Sequence, residues 1–314
     1  MNYSKNQIEK YASESNFIKA NIEKVMRLMD VLSFIFERSS FKDKLVLKGG
    51  TAINLVHTNL KRLSVDIDLD YCGSIDRKIA LLDRTRLSNE LDEFMIESGY
   101  EISPKSRGSV ALFSRVYKFV NAFGGNDSIK VDINFMDRIH LFEIRNDTIS
   151  YFDKTVTIKT PSIEELFGMK ICALINRSKP RDLYDSLFIL ENNSLFNEDP
   201  LRKAIIFYLS INGKFEINDK SFSRIQTITS KDIKKELLPV IKKNERFNLD
   251  EVVSNVNKML RDLLVLDKDE SQYLNEFSKG NFVPNLLFDD ETSKRAERHP
   301  MAKWIILNIK NNLN

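Results

Sequence analysis

One stretch limits this chain more than any other: LKGGTAINLVHTNLKRLSVDIDLDY, residues 47–71. Side chains on a β-strand alternate between faces. In LSVDIDLDY, Asp66, Asp68 and Asp70 therefore share one face, while Val65, Ile67 and Leu69 share the other and enter a core. The pattern recurs in KVDINF, where Lys130, Asp132 and Asn134 face one way and Val131, Ile133 and Phe135 the other. Alternation alone would give a sheet with one wet face. Aspartate, however, is a poor strand former, and a merely wet face more naturally carries Thr, Lys or Glu. Adjacent carboxylates repel unless a cation lies between them. Hard divalent ions take oxygen ligands, commonly one or two carboxylates plus substrate phosphates. A third carboxylate from a neighbouring strand would allow two ions, as phosphoryl transfer often uses. On this strand alone, the wet face and the metal site stand level.

The double glycine tips the balance. Gly49-Gly50-Thr51 lies between a short strand, DKLVLK, and the helical TAINLVHTNL. Glycine lets backbone approach a ligand closely, and free N–H groups at a helix start attract anions. The Thr51 hydroxyl suits a phosphate or a helix cap. Alone, the turn would read as a tight corner with an ordinary cap. Followed by Asp-x-Asp, it supplies phosphate donors and metal carboxylates together. Lys48, at a strand end, is by default a solvated lysine.

The remaining composition excludes other classes. The 314 residues, 42% hydrophobic and 30% charged, suffice for two domains of ordinary globular character. A net charge of +3 is too small for a general polycation, so nucleic-acid binding would need local basic patches. Nothing apolar is long enough to span a bilayer, and MNYSKNQIEKYASESNF lacks the core of a signal peptide, so a cytoplasmic protein is expected. Cys72 and Cys172 are far apart and outside any Cys-x-x-Cys pattern, which fits a reducing compartment. His57, His140 and His299 have no ligand spacing, and Trp304 reads as core. The basic runs at 230–246 and 293–298 read as solvated helix faces, or as a phosphate-tracking surface for RNA.

Periodicity divides the chain near residue 160. Helix is expected over 5–40, with Ile22, Val25, Met26, Met29, Leu32 and Phe36 inward. A second amphipathic helix is expected over 78–98 through Ile79, Leu82, Leu87, Leu91 and Phe94. Two strand-like runs around GGND predict an antiparallel hairpin, and residues 154–161 a last short strand. Pro161, Ser162, Glu164 and Glu165 signal a helix start, acidic groups in the first turn favouring the helix dipole. From there helical periodicity runs to the end, broken around 193–200, 211–221 and 280–290. The expected architecture is an α/β (α+β) domain over 1–160, a mixed sheet flanked by helices, then a mostly α-helical domain over 161–314.

A second patch, MKICALINRSKPRDLYD (169–185), sets Lys170 on an otherwise apolar helix. Such a cation snorkels at an edge or pairs with an anion. Arg177, Lys179 and Arg181 then precede Asp182 and Asp185, with Asp182 in the first turn of the next helix. A salt bridge from either aspartate to a nearby base explains the pattern as well as catalysis does.

Taken together, these motifs resemble the DNA polymerase β-like nucleotidyltransferase superfamily. More narrowly, Lys48–Tyr71 with 169–185 is similar to the AbiEii/MenT nucleotidyltransferase toxins of type IV toxin–antitoxin and phage abortive-infection systems. The resemblance implies that Gly49, Gly50 and Thr51 hold the triphosphate, with Ser64 beside them in the Arg-x-Ser-x-Asp element. It implies Mg²⁺ or Mn²⁺ on Asp66 and Asp68, with Asp132 as third ligand and Asp70 its competitor. Lys170 matches a phosphate-contacting lysine, and Asp182 a catalytic or orienting aspartate, both contributed by the helical domain. The implied reaction moves a nucleoside monophosphate from an NTP to RNA, the tRNA 3′ end, blocking translation under restraint by a cognate antitoxin. Transfer to a protein or small molecule, and a non-catalytic nucleotide-binding protein, are the alternatives. Fourteen residues separate Thr51 from Asp66, more than the minimal superfamily spacing, so an extra turn or loop is expected there.

Overall fold

The computed structural model describes residues 3–313. They form two compact units. The first comprises Met1–Arg138, Ile144–Thr160 and Leu238–Glu245; the second comprises Ile139–Glu143, Pro161–Leu237 and Arg246–Asn314.

The first unit opens with two helices, α1 (Lys5–Ser15) and α2 (Lys19–Ser33), the latter running into a wider turn at Phe34–Arg38. Every inward position expected there, from Ile22 to Phe36, is buried. The strands follow as β1 (Leu45–Lys48), β2 (Asp66–Tyr71), β3 (Glu101–Ile102), β4 (Arg107–Gly108), β5 (Leu112–Val120) and β6 (Asn126–Asn134). Their order is β1–β2–β6–β5–β3, with β4 also on β5. Only β2 and β6 pair in parallel, so the sheet is mixed as expected. A parallel pair needs a long crossover, and this one contains α4 (Arg77–Glu97), while the short helix α3 (Gly49–Ala52) lies earlier, between β1 and β2. The hairpin around GGND is β5–β6. Its Asn121 side chain accepts hydrogen bonds from the Phe123 and Gly125 amides.

One expectation in this unit needs correction. Ile79 and Leu82 of α4 do not face the core; they are 49% and 63% exposed. The buried stripe is Ala80, Asp83, Leu87, Leu91 and Met95. Asp83 turns inward because the Tyr71 hydroxyl and Lys44 both bond it, at 2.5 and 2.7 Å. The short strand expected at 154–161 is present. As β8 (Lys154–Thr160) it pairs antiparallel with β7 (Arg145–Tyr151) in a separate two-stranded sheet.

The second unit is helical: α5 (Ile163–Arg177), α6 (Pro180–Glu191), α7 (Glu198–Ser210), α8 (Asp219–Phe222), α9 (Ser230–Asp232), α10 (Leu249–Leu263), α11 (Lys268–Ser278), α12 (Asp290–Arg298) and α13 (Pro300–Leu313). Ser162 caps α5, its side chain accepting from the Glu165 amide at 3.2 Å. Glu165 is more than a dipole partner. It is fully buried and takes bonds from the Leu141 and Phe142 amides, His140 and the Tyr208 hydroxyl. Burial would raise its pKa, but His140 and these donors outweigh burial and hold it below the usual glutamate value. Trp304, expected in the core, is 48% exposed. Among the described residues no helix is long and apolar enough to cross a membrane.

Candidate active site

In the first unit, the site grows from the strand alternation. Ile67, Leu69, Val131 and Ile133 are fully buried on one side of the β2–β6 pair. The other side carries Asp66 and Asp68, both half-buried, and Asp132 directly across from Asp68. Lys130 lies across from Asp66. Asp132 accepts a 2.6 Å bond from the Ser114 hydroxyl and a close ion pair from Lys130. Desolvation pulls the Lys130 pKa down, but Asp132, Asp66 and Asp68 together hold it above the ordinary lysine value. Lys130 is therefore a cation that this acidic face already contains, on the side of β6 where the alternation had set it beside Asp132.

Asp70, also on this face by alternation, is fully buried and pairs with Lys48 at 2.5 Å. Lys48 is consequently no free solvated lysine. Burial opposes its charge, yet Asp70, Asp137 and Asp68 raise its pKa above the usual range. Asp132, across from Asp68, and Asp70, two residues along the same strand, each hold a lysine of their own.

The glycine turn meets this face directly. Gly49 opens α3 with φ of +69°, and a Cβ built there would lie 2.7 Å from Asp68 Oδ2. A cradle of that size admits only hydrogen beside the carboxylate. At Gly50 a Cβ would overlap the Arg62 guanidinium. Arg62 is 2% exposed, and its Nη1 donates to the Leu63 carbonyl at 2.9 Å. Thr51 is fully buried; its hydroxyl donates to the Asp66 carbonyl and lies 2.9 Å from Ser64 Oγ. It thus fastens the turn to the start of the aspartate strand, and the α3 N-cap is Lys48. Asn54 ties the extra loop down, donating to the Gly50 carbonyl and accepting from the Arg62 amide. The long Thr51–Asp66 spacing is this loop, residues 58–65, and not a longer helix.

From the second half of the chain, Leu238–Glu245 joins this unit. The Leu63 amide donates to the Val240 carbonyl at 2.7 Å, Arg62 bridges to Ile241, and the Lys243 amide donates to the Asn16 carbonyl at 2.9 Å. Val240 and Ile241 are buried. This strap backs the loop that carries Arg62 and Ser64.

Among the described residues no three Asp, Glu, His or Cys side chains form a ready-made metal cage. Asp132 is engaged by Ser114 and Lys130, and Asp70 by Lys48. Two aspartates with an open, glycine-lined edge instead suit an ion that shares its ligands with phosphate oxygens, the usual habit of Mg²⁺.

In the second unit, Lys170 of α5 bonds Asp182 at 2.9 Å and Asp185 at 3.0 Å, all three buried. Asp182 lies in the first turn of α6 and also takes Arg177 Nε at 2.7 Å and Nη2 at 3.1 Å. Burial favours the neutral acid, but Lys170 and Arg177 outweigh it and lower the Asp182 pKa to about 2. Lys179 and Arg181 both turn to Glu236, side chain and carbonyl respectively. The salt-bridge reading of this patch is therefore real; a phosphate role for Lys170 would share a lysine already held by two acids. Among the histidines, His140 and His299 are buried, and neither cysteine forms a disulfide among the described residues.

The family model of the nucleotidyl transferase AbiEii toxin, type IV toxin–antitoxin system, matches residues 31–279, which include both clusters. No curated protein matches the sequence. Among solved structures, MenT4, the nucleotidyltransferase toxin Rv2826c from Mycobacterium tuberculosis H37Rv, is similar with a TM-score of 0.65. That likeness covers 96% of this chain and 99% of that one at 14% identity, and so concerns the fold. The match over most of the chain, on a mixed sheet that carries the glycine turn beside paired aspartates, settles the family: this chain belongs to the AbiEii nucleotidyltransferase toxins of type IV toxin–antitoxin systems, NTP-using transferases.

Proposed function

We propose that the protein transfers a nucleoside monophosphate from an NTP to the 3′ end of an RNA acceptor, tRNA in the first instance, and so arrests translation. The observation that carries this reading is the contact between the Gly49–Gly50 turn and the Asp68 carboxylate, fixed by the Thr51 bond to Asp66. Asp66 and Asp68 would hold a divalent ion, Mg²⁺ or Mn²⁺, which when bound offsets charge on the triphosphate. The Gly49 and Gly50 backbone leaves room for phosphate oxygens, and Arg62 beneath Gly50 adds fixed positive charge. Ser64 keeps Thr51 in place. The acceptor oxygen bonds to the α-phosphorus, pyrophosphate leaves, and the hydroxyl proton passes to a carboxylate of this face, for which Asp132 is positioned across from Asp68. Positioning and electrostatics supply most of the acceleration. Within the second unit, Lys170, held in orientation by Asp182, is the further candidate for a phosphate contact. A cognate antitoxin restrains the enzyme in the cytoplasm, and the pair acts in phage defence by abortive infection.

The test is transfer of label from each α-³²P-NTP to total tRNA with Mg²⁺, comparing the wild type with Asp68→Ala. Label at the RNA 3′ end that falls at least a hundredfold in the variant supports the reading. Label on protein or on a small molecule overturns the RNA assignment and keeps the transferase. With no label on any acceptor, the proposed reaction fails.

A further inference from the structure

A groove of about 690 Å³ in the second unit lies away from both clusters in sequence, between the 213–224 segment and α11. Three cations line it, Lys214, Lys220 and Arg224, against one acid, Glu216. None of the three makes an ion pair among the described residues; Arg224 donates only to the Asn176 carbonyl, at 2.9 Å. Nearby acids are already matched elsewhere, Asp219 with Arg261 at 2.8 Å and Glu276 with Lys279 at 3.1 Å. The groove thus carries a local charge of +2 in a chain whose total is +3. Half-buried Phe215 forms part of its lining and leans on Phe277, ring centroids 5.9 Å apart. A second groove of about 600 Å³, lined by Ile189, Leu190 and Phe196, sets one Lys258 against Glu198 and Asp262, so positive charge is not common to the concave surfaces of this unit.

Concentrated cations beside a half-buried aromatic ring in an open groove are what single-stranded nucleic acid selects: backbone phosphates follow the charges while a base stacks on the ring. We propose that this groove binds a short single-stranded segment of the RNA acceptor, with phosphates on Lys214, Lys220 and Arg224 and a base against Phe215. The proposal rests on the RNA-acceptor reading above and assigns that acceptor a second point of attachment. The basic run at 230–246, whose Lys231, Lys234 and Lys235 are exposed, is not part of this lining.

The probe is a fluorescein-labelled 12-nucleotide single-stranded RNA, followed by anisotropy from 50 to 300 mM salt. Each phosphate neutralised on a single strand contributes about 0.7 to the slope of log affinity against log salt. Lys214→Gln/Lys220→Gln/Arg224→Gln together should weaken binding at least tenfold and flatten that slope by about 2. Phe215→Leu, which keeps the packing on Phe277, should weaken binding about fivefold or more while leaving the slope alone. Lys231→Gln/Lys234→Gln/Lys235→Gln should match the wild type, and thermal shifts with ATP should be equal in all four proteins. Wild-type affinity and slope in the groove variant overturn the proposal while RNA transfer by the enzyme stands. Displacement of the RNA from the wild type by millimolar pyrophosphate, with the groove variant equally sensitive, places RNA binding at the glycine turn and also overturns it. Absence of any RNA binding by the wild type, together with no label on RNA in the transfer assay, removes both readings at once.

Discussion

Two positions show how far a single side chain governs the site. Gly49 combines a positive φ with a carboxylate 2.7 Å from where its Cβ would be. Alanine there meets the left-handed penalty, about 1–2 kcal/mol, and also pushes on Asp68. Gly99 has a comparable φ of +86° but nothing within 4 Å, so Gly99→Ala isolates the backbone cost. We expect similar losses of stability, a few degrees in Tm, but nucleotide transfer reduced more than tenfold only in Gly49→Ala. Equal activities in the two variants would show that Asp68 needs no cradle. Asp182 offers a pH test. Folding lowers its carboxyl pKa to about 2, so its stabilisation is complete above about pH 4 and is lost as pH falls toward 2. That is roughly 2 kcal/mol. Urea midpoints at pH 7, 4 and 2.5 should therefore fall more steeply in the wild type than in Asp182→Asn over the acid interval alone. Parallel falls would assign the acid sensitivity to other carboxylates.

The elements differ in how openly the sequence declares them. The aspartate strand was legible because alternation and unusual composition coincide in six residues, and β6 repeated the signal. Two features of its neighbours were not. Lys48 reads as a solvated lysine and Lys130 only as a residue of the Asp132 face, because i, i+2 charge alternation says nothing about what lies across the sheet; only the register puts Lys130 against Asp66. β7 escaped notice because RNDTISY is polar at its start and mostly exposed, which a loop would also be. The strap at 238–245 had no local signal at all, since its sequence continues a basic helical run. Its importance follows from burial: Ile241 is 2% exposed and bridges Arg62. Ile241→Ala should cost about 2–5 kcal/mol. Its more telling effect should be faster amide exchange at Leu63, whose N–H bonds Val240, than in β5 or β6. Uniform acceleration across the unit would mean that the strap supports the whole sheet and not the Arg62 loop.

At the scale of the whole molecule, the change of composition near residue 160 was visible, while the exchange of segments was not. Periodicity reports which face of an element is buried, not which unit buries it. Residues 139–143 precede the break yet join the helical unit, where Glu165 holds the Leu141 and Phe142 amides. Residues 238–245 follow it yet join the sheet. A cut between Thr160 and Pro161 therefore leaves each piece without a segment that the other retains. Fragment 1–160 would leave the Leu63 amide without its 2.7 Å acceptor, and fragment 161–314 would leave the buried Glu165 carboxylate without two backbone donors. Buried polar groups left so cost about 1–3 kcal/mol each, a large part of ordinary domain stability. Expressed singly, each fragment should show a broadened melt and loss of amide protection, at Leu63 in the first and in α5 in the second. Mixed, they should recover protection at both places, because each restores the other's missing segment. A fragment 1–160 that melts as cooperatively as the intact chain and protects Leu63 would show that the sheet unit completes itself without residues 238–245.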